Sequence, residues 1–171
     1  MSRIAFNQAA VRRRHLRREY VPVISTIVAC MLSLLPIIVS SPLIPDIGFL
    51  VLLAWRLLRP EMWGPAIALP LGLFADLVGG HPIGQSMALW TIVFLVLDIV
   101  DSRVLFRDYW MDWFFAALAI LFVVAGEWYI ARLMGSVADF AILLPQLGAA
   151  VLAYPIVSRL VLALDRWRLA R

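Results

Sequence analysis

Three acidic residues interrupt the apolar sequence of this chain and are its main candidates for chemistry. Asp46, Asp76 and Glu127 each lie close to the end of an apolar run, and Arg132 follows Glu127. A carboxylate inside a membrane span is costly to bury and is a functional-site candidate by default. Two chemistries are open to this group. It either locks helices together through ion pairs at the membrane surface, or it forms a polar site for a partner or a ligand.

Asp76 also belongs to a ladder of small residues that recur every four positions. The ladder consists of Gly64, Ala68, Gly72, Asp76 and Gly80. Residues four apart lie along one drifting face of a helix, and small residues on such a face let membrane helices approach closely. The pattern predicts a close-contact face, either between helices of this chain or towards a partner protein.

Catalytic and metal-binding patterns are missing from the sequence. The single cysteine, Cys30, and the two histidines, His15 and His81, lie far apart in the chain and do not make a metal site. There is no nucleophile elbow, zinc-protease motif or phosphate-binding loop. Apolar sequence separates the three acids from Asp98 and Asp101, which argues against a proton relay. We expect a protein that is not an enzyme and binds no cofactor.

Composition places the chain in the membrane. It has 171 residues, is 64% hydrophobic and has a mean hydropathy of +0.94, whereas a soluble domain of this size is roughly half apolar. The 15 basic residues are all arginines, and the net charge is +4. The basic N-terminal stretch lacks interleaved aromatics and abuts a span. We therefore expect it to orient the protein and to contact anionic lipids rather than nucleic acid.

The apolar segments predict an all-α, polytopic bundle of six membrane helices. They cover residues 20–40, 42–58, 63–80, 83–102, 111–132 and 140–164. A crossing helix needs roughly 20 residues, so the second segment either lies in thinned bilayer or packs against other helices. Pro36, Pro70, Pro145 and Pro155 fall inside these segments and predict kinked helices. Neighbouring helices must then satisfy the carbonyls that these prolines free.

Arginine positions predict the topology. With six spans, every arginine except Arg132 falls on one side of the membrane, and the positive-inside rule makes that side cytoplasmic. The prediction divides the chain into an Arg-rich cytoplasmic tail (1–19), a membrane domain (20–164) and a cytoplasmic C-terminal tail (165–171). The three acids and Arg132 then gather near the outer leaflet. Asp98 and Asp101 lie at the inner surface, where Arg103 and Arg107 are their expected partners.

The order of motifs over 45–97 resembles the family of the rod shape-determining protein MreD. A proline opens a short apolar span that ends in an aromatic residue and a proline. A glycine-rich helix with an acid near its end follows, then a glycine turn and a polar start to the next span. Here these positions are Pro45, Trp55, Pro60, Gly64, Gly72, Asp76, Gly80, Gly84 and Ala88.

The resemblance implies a non-catalytic scaffold in the bacterial inner membrane that helps organise lateral peptidoglycan synthesis during elongation. Such proteins associate with the bitopic protein MreC, and through it with MreB filaments and the RodA–transpeptidase synthase. The resemblance also implies a relation in fold to the substrate-binding subunits of vitamin transporters. A second hypothesis therefore stays open, in which the chain is a small-molecule carrier subunit whose pocket contains the outer acids.

Overall fold

The computed structural model describes residues 20–32, 45–103 and 108–169. These ranges contain six α-helices and no β-strand, so the predicted all-α fold is confirmed. The helices are α1 (Tyr20–Met31), α2 (Ile47–Leu58), α3 (Ala68–Gly79), α4 (Gln85–Arg103), α5 (Tyr109–Leu133) and α6 (Leu144–Leu169). Two 3-10 turns, Pro65–Ile67 and Phe140–Leu143, lead into α3 and α6.

Some sequence-based predictions lie outside the described residues. They concern the Arg-rich tail (1–19), most of the C-terminal half of the first predicted span with Pro36, the beginning of the second predicted span, and Arg107.

In the part of the chain that the structure describes, three helical segments are long and apolar enough to cross a membrane, namely α4, α5 and the continuous segment Phe140–Leu169. Their most apolar windows are only 33%, 28% and 17% buried. An apolar surface this extensive is rare on soluble monomers, so these helices have the exterior of a membrane protein. The described part of α1, together with α2 and the segment Pro65–Gly79, is shorter.

Short α2 forms the centre of the bundle. Its 12 residues span about 18 Å, less than the hydrocarbon thickness of about 30 Å. Nine of them are buried, which is typical of a helix that is apolar on all sides and enclosed by others. Of the two explanations for a short second span, packing against other helices is therefore the one the structure supports.

Neighbours surround α2 on several sides. It packs against α5 and α6, while α3 packs on α4, α4 on α5 and α5 on α6. Towards α1, the Trp55 indole donates a hydrogen bond to Ser25 Oγ at 2.9 Å. Towards α4, the rings of Phe49 and Trp90 lie 5.6 Å apart, centre to centre. Sequential helices from α3 onwards are thus neighbours, as short loops require.

The prolines occupy different positions from those the span boundaries predicted. Pro70 and Pro145 lie in the first turns of α3 and α6, where backbone N–H groups have no partner within the helix. Only Pro155 lies in the interior of a described helix. Its ring leaves the carbonyl of Val151 without the usual N–H donor, and the Trp113 indole of α5 donates to that oxygen at 3.3 Å. A neighbouring helix therefore satisfies the carbonyl freed by the proline.

Replacing Trp113 by Phe should destabilise the protein by about 1 kcal/mol, because the Val151 carbonyl loses its donor. In a Pro155→Ala background the same replacement should have a smaller effect, since the backbone N–H at position 155 is restored. Unfolding free energies of the two single variants and the double variant in mixed micelles measure this coupling. Trp110→Phe, which removes an indole that is 72% exposed, is the matched control. Additive effects of the two substitutions would contradict the assignment.

Candidate functional site: buried charges at the two ends of the bundle

Charged residues collect at the two ends of the helices. One end, where α3 turns into α4 and α5 ends, holds Asp46, Asp76 and Glu127, and we call it the acidic end. The opposite end, where α2 and α6 finish, holds Arg56, Arg59 and Arg168, and we call it the arginine end. The two ends differ in how their charges are satisfied.

Asp76 links the end of α3 to the beginning of α4. Its carboxylate is 1% exposed and accepts hydrogen bonds from the backbone N–H groups of Gly84 at 2.9 Å and Ser86 at 2.8 Å. The N–H of Met87 contributes a longer contact of 3.4 Å. The first N–H groups of a helix have no partner within it, and the helix dipole favours a negative charge there. Asp76 therefore acts as a cap for α4, supplied by the preceding helix.

The small-residue ladder is used mainly inside the chain. Ala68 is fully buried, and a Cβ at Gly72 would lie 2.6 Å from the Cα of Met87, so Gly72 brings the backbones of α3 and α4 into contact. Gly80 has a positive φ of 68° and ends α3, a conformation that favours glycine. A Cβ added at Gly64 would meet no atom within 4 Å. Of the two interpretations of the ladder, the structure supports close contact within the chain for Ala68, Gly72 and Asp76.

Asp46 and Glu127 come together on one small cavity. Asp46 precedes α2 and accepts a hydrogen bond from the N–H of Phe49 at 3.1 Å, so it is the cap of that helix. Glu127 reaches the same cavity from α5. The cavity has a volume of about 20 Å³, enough for one water molecule. Glu127 also lies within electrostatic range of both Asp46 and Asp76.

Arg132 does not neutralise these acids. Its guanidinium lies 5.3 Å from the centre of the Trp128 ring, a cation–π distance. Among the residues that the structure describes, no ion pair joins Arg132 to Asp46 or Glu127. Ion pairing with Arg132, one of the two alternatives for this group, is therefore not observed among the described residues. Arg132 lies four residues after Trp128, and this spacing places both side chains on the same face of α5. The guanidinium of Arg132 therefore stacks on the Trp128 ring.

A second, larger cavity opens beside Glu127 at the acidic end. Its volume is about 470 Å³, and its polar lining includes His81, Gln85, Glu127 and Ser136. Gln85 is only 9% exposed, and its side chain makes no hydrogen bond within the described chain. Sequence analysis missed Gln85. The available signal was a polar side chain directly after a glycine turn, at the start of an apolar helix.

Arg56 is the central residue of the arginine end. It is 1% exposed, and its guanidinium lies 2.7 Å from Asp101 and 3.2 Å from Asp98, both on α4. The contact with Asp101 is an ion pair without hydrogen-bond alignment. Sequence analysis expected Arg103 as a partner of these acids, but in the described part of the chain Arg103 pairs with neither. Arg56 replaces it because α2 lies inside the bundle and brings its arginine to α4.

A second set of charges joins α2 to α6. Asp165 is 2% exposed and lies between Arg59, at 2.8 Å, and Arg168, at 2.7 Å. The guanidinium of Arg168 is also 5.2 Å from the Trp55 ring centre. The sequence predicted a cytoplasmic tail over residues 165–171. In the structure α6 extends to Leu169, and the side chains of Asp165 and Arg168 contact residues in and just after α2.

At the arginine end the charged side chains link helices to one another, whereas the acidic end contains an open polar cavity. In the described ranges, no group of three or more His, Cys, Asp and Glu side chains could hold a metal ion. Comparison with protein-family models, with curated proteins and with solved structures gave no match to this chain.

Gly72→Ala should destabilise the protein by about 1–3 kcal/mol, because the added methyl group meets the backbone of Met87 and must push α3 away from α4. Gly64→Ala is the matched control, since open space surrounds that position. Unfolding free energies measured in the same micelles compare the two variants. Equal stability of the two proteins would show that α3 and α4 do not touch at Gly72.

Asp165→Asn should destabilise the protein by about 3 kcal/mol, because it leaves the buried charge of Arg168 without its carboxylate. Asp139→Asn changes an exposed acid that makes no capping hydrogen bond and should have little effect. Thermal unfolding of both variants in detergent tests the difference. A wild-type melting temperature for Asp165→Asn would contradict the linkage of α2 to α6 through this carboxylate.

Proposed function

We propose that this chain is a non-catalytic membrane scaffold of the bacterial elongation machinery, as its resemblance to the MreD family implies. The observation that carries the proposal is the use of its buried charges. Asp76 caps α4, Arg56 binds Asp98 and Asp101, and Asp165 binds two arginines. These contacts tie helices to one another and form neither a path across the bundle nor a catalytic set. Helices that are linked to one another in this way are consistent with a scaffold, a protein that binds its partners and keeps them together.

The outward surfaces of the long helices support a role in binding other membrane proteins. On α6, Leu152, Ile156 and Leu160 form a stripe of side chains that are 72%, 64% and 62% exposed. On α4, Leu95 and Ile99 are 48% and 64% exposed. Such faces contact lipid or the helices of a partner. The proposed partner is a bitopic MreC-like protein, with MreB filaments and the RodA–transpeptidase synthase as indirect partners.

The proposed topology has six spans in the bacterial inner membrane, with both termini in the cytoplasm. The arginine end then faces the cytoplasm, in agreement with the positive-inside rule. In this topology short α2 is the central helix and is enclosed by the others. Because protein rather than lipid surrounds it, its length does not need to match the thickness of the bilayer. The acidic end faces the outside.

A second candidate function is that of a small-molecule carrier subunit of the vitamin-transporter type. One observation favours it, the cavity of about 470 Å³ at the acidic end. Its size falls in the range of ligand pockets, about 300–1,000 Å³. Its lining combines apolar side chains with the polar groups of His81, Gln85 and Glu127.

Site-specific photo-crosslinking in cells tests the scaffold proposal directly. A photoreactive amino acid at Leu95, Ile99, Leu152 or Ile156 projects from an exposed helix face without entering the core. We expect a crosslink from α4 or α6 to an MreC-like bitopic protein, identified by mass spectrometry, and rounding of rod-shaped cells when the chain is depleted.

The same amino acid at Trp90, which is fully buried, is the control and should give no intermolecular product. Crosslinks to ATPase and coupling subunits of an uptake transporter, with cell shape unchanged on depletion, would overturn the scaffold proposal. That outcome would favour the carrier function.

A further inference from the structure

The lining of the larger cavity at the acidic end includes a carboxylate that has no cationic partner in the described chain. Glu127 lines it, and Asp46 and Asp76 lie within electrostatic range of Glu127. Asp46 and Asp76 already accept backbone hydrogen bonds from α2 and from the start of α4. In the described chain Glu127 accepts none and pairs with no arginine. An uncompensated carboxylate at this depth is costly, so the cavity favours a cationic occupant.

The chain itself supplies little positive charge to this end. Arg132 stacks on Trp128, and no arginine among the described residues pairs with Glu127. The sequence from Tyr20 to Trp55, which includes the connection between α1 and α2, contains no basic residue. Within the described ranges, a strong cation beside Glu127 would therefore require a bound molecule or a rearrangement of Arg132.

Gln85 provides an independent sign of a ligand. Its side chain is nine-tenths buried, lines the cavity and has no hydrogen-bond partner in the described residues. The Gln85 amide atoms are not among the fully enclosed polar atoms that lack a partner, so a molecule in the cavity can reach them. A bound group that donates a hydrogen bond to the Gln85 amide oxygen would supply the partner that this amide lacks in the described chain. Glu127 lines the same cavity.

We propose that this cavity binds an ammonium group carried by a small organic molecule. Glu127 provides the opposite charge, and the amide oxygen of Gln85 provides a neutral acceptor. The remaining lining includes Ala131, Met134, Ile142 and Leu143, which accommodate a compact apolar body beside the charged group. The nearby carboxylates exclude an anion of the same shape.

Two sources supply this chemistry, a free organic amine and the headgroup of phosphatidylethanolamine. The inference deepens the carrier function and rests on it, because it names the class of ligand for that cavity. It does not depend on the scaffold role, so its failure would leave the crosslinking result unchanged.

The test uses the full chain in nanodiscs of phosphatidylglycerol alone. We expect saturable binding of radiolabelled 2-phenylethylamine, and no binding of 3-phenylpropionate, which has a similar shape and the opposite charge. Glu127→Gln should weaken amine binding at least about tenfold, because hydrogen bonds between charged groups contribute most. Glu61→Gln removes an exposed acid from the turn after α2 and should leave the affinity unchanged.

Gln85→Leu is a second variant, which keeps the test decisive if Glu127→Gln does not fold, and it should also weaken binding. Repeating the titration in nanodiscs that contain phosphatidylethanolamine distinguishes the sources. A raised apparent Kd identifies the lipid headgroup as the occupant, and an unchanged Kd identifies a free amine. Wild-type affinity in Glu127→Gln or Gln85→Leu, equal binding of 3-phenylpropionate, or no saturable amine binding would contradict the proposed site.

Discussion

A charge enclosed by apolar helices must find an opposite charge or a set of hydrogen-bond donors, and this requirement organises the bundle. Removing an ion from water is expensive, and only close partners compensate for it. Here the short helix α2 carries Arg56 into the interior, and Arg59 follows at its end. Because α2 lies at the centre, these arginines draw acids from α4 and from α6. The packing of three helices thus depends on charges that come from one of them.

The same requirement is met differently at the acidic end. Asp76 has no cationic partner in the described chain, and its charge is balanced by the N–H groups and the dipole at the start of α4. That contact is possible because Gly72 lets α3 approach the backbone of α4. A small residue and an acid one turn apart therefore act together, the first allowing the approach and the second holding it.

The two ends consequently have different functional capacities. At the arginine end Arg56, Arg59 and Arg168 each face a carboxylate, and these ion pairs link α4 and α6 to α2 and the residue that follows it. At the acidic end Glu127 and Gln85 border an open cavity without partners of their own in the described chain. The linked charges at the arginine end support the proposed scaffold role. The open cavity supports the alternative carrier function, on which the proposed ammonium site rests.

The sequence by itself determined the all-α class, the apolar character and the approximate position of each described helix, since these follow from composition and local periodicity. It also indicated that Gly72 and Asp76 lie on a close-contact face and that a neighbour must satisfy a carbonyl freed by proline. Only the tertiary structure decided which groups meet. Arg56 pairs with acids of α4, Trp113 donates a hydrogen bond to the carbonyl freed by Pro155, and Arg132 stacks on Trp128. Such pairings depend on which helix lies at the centre, and the central position of α2 results from the packing of all its neighbours rather than from its own sequence.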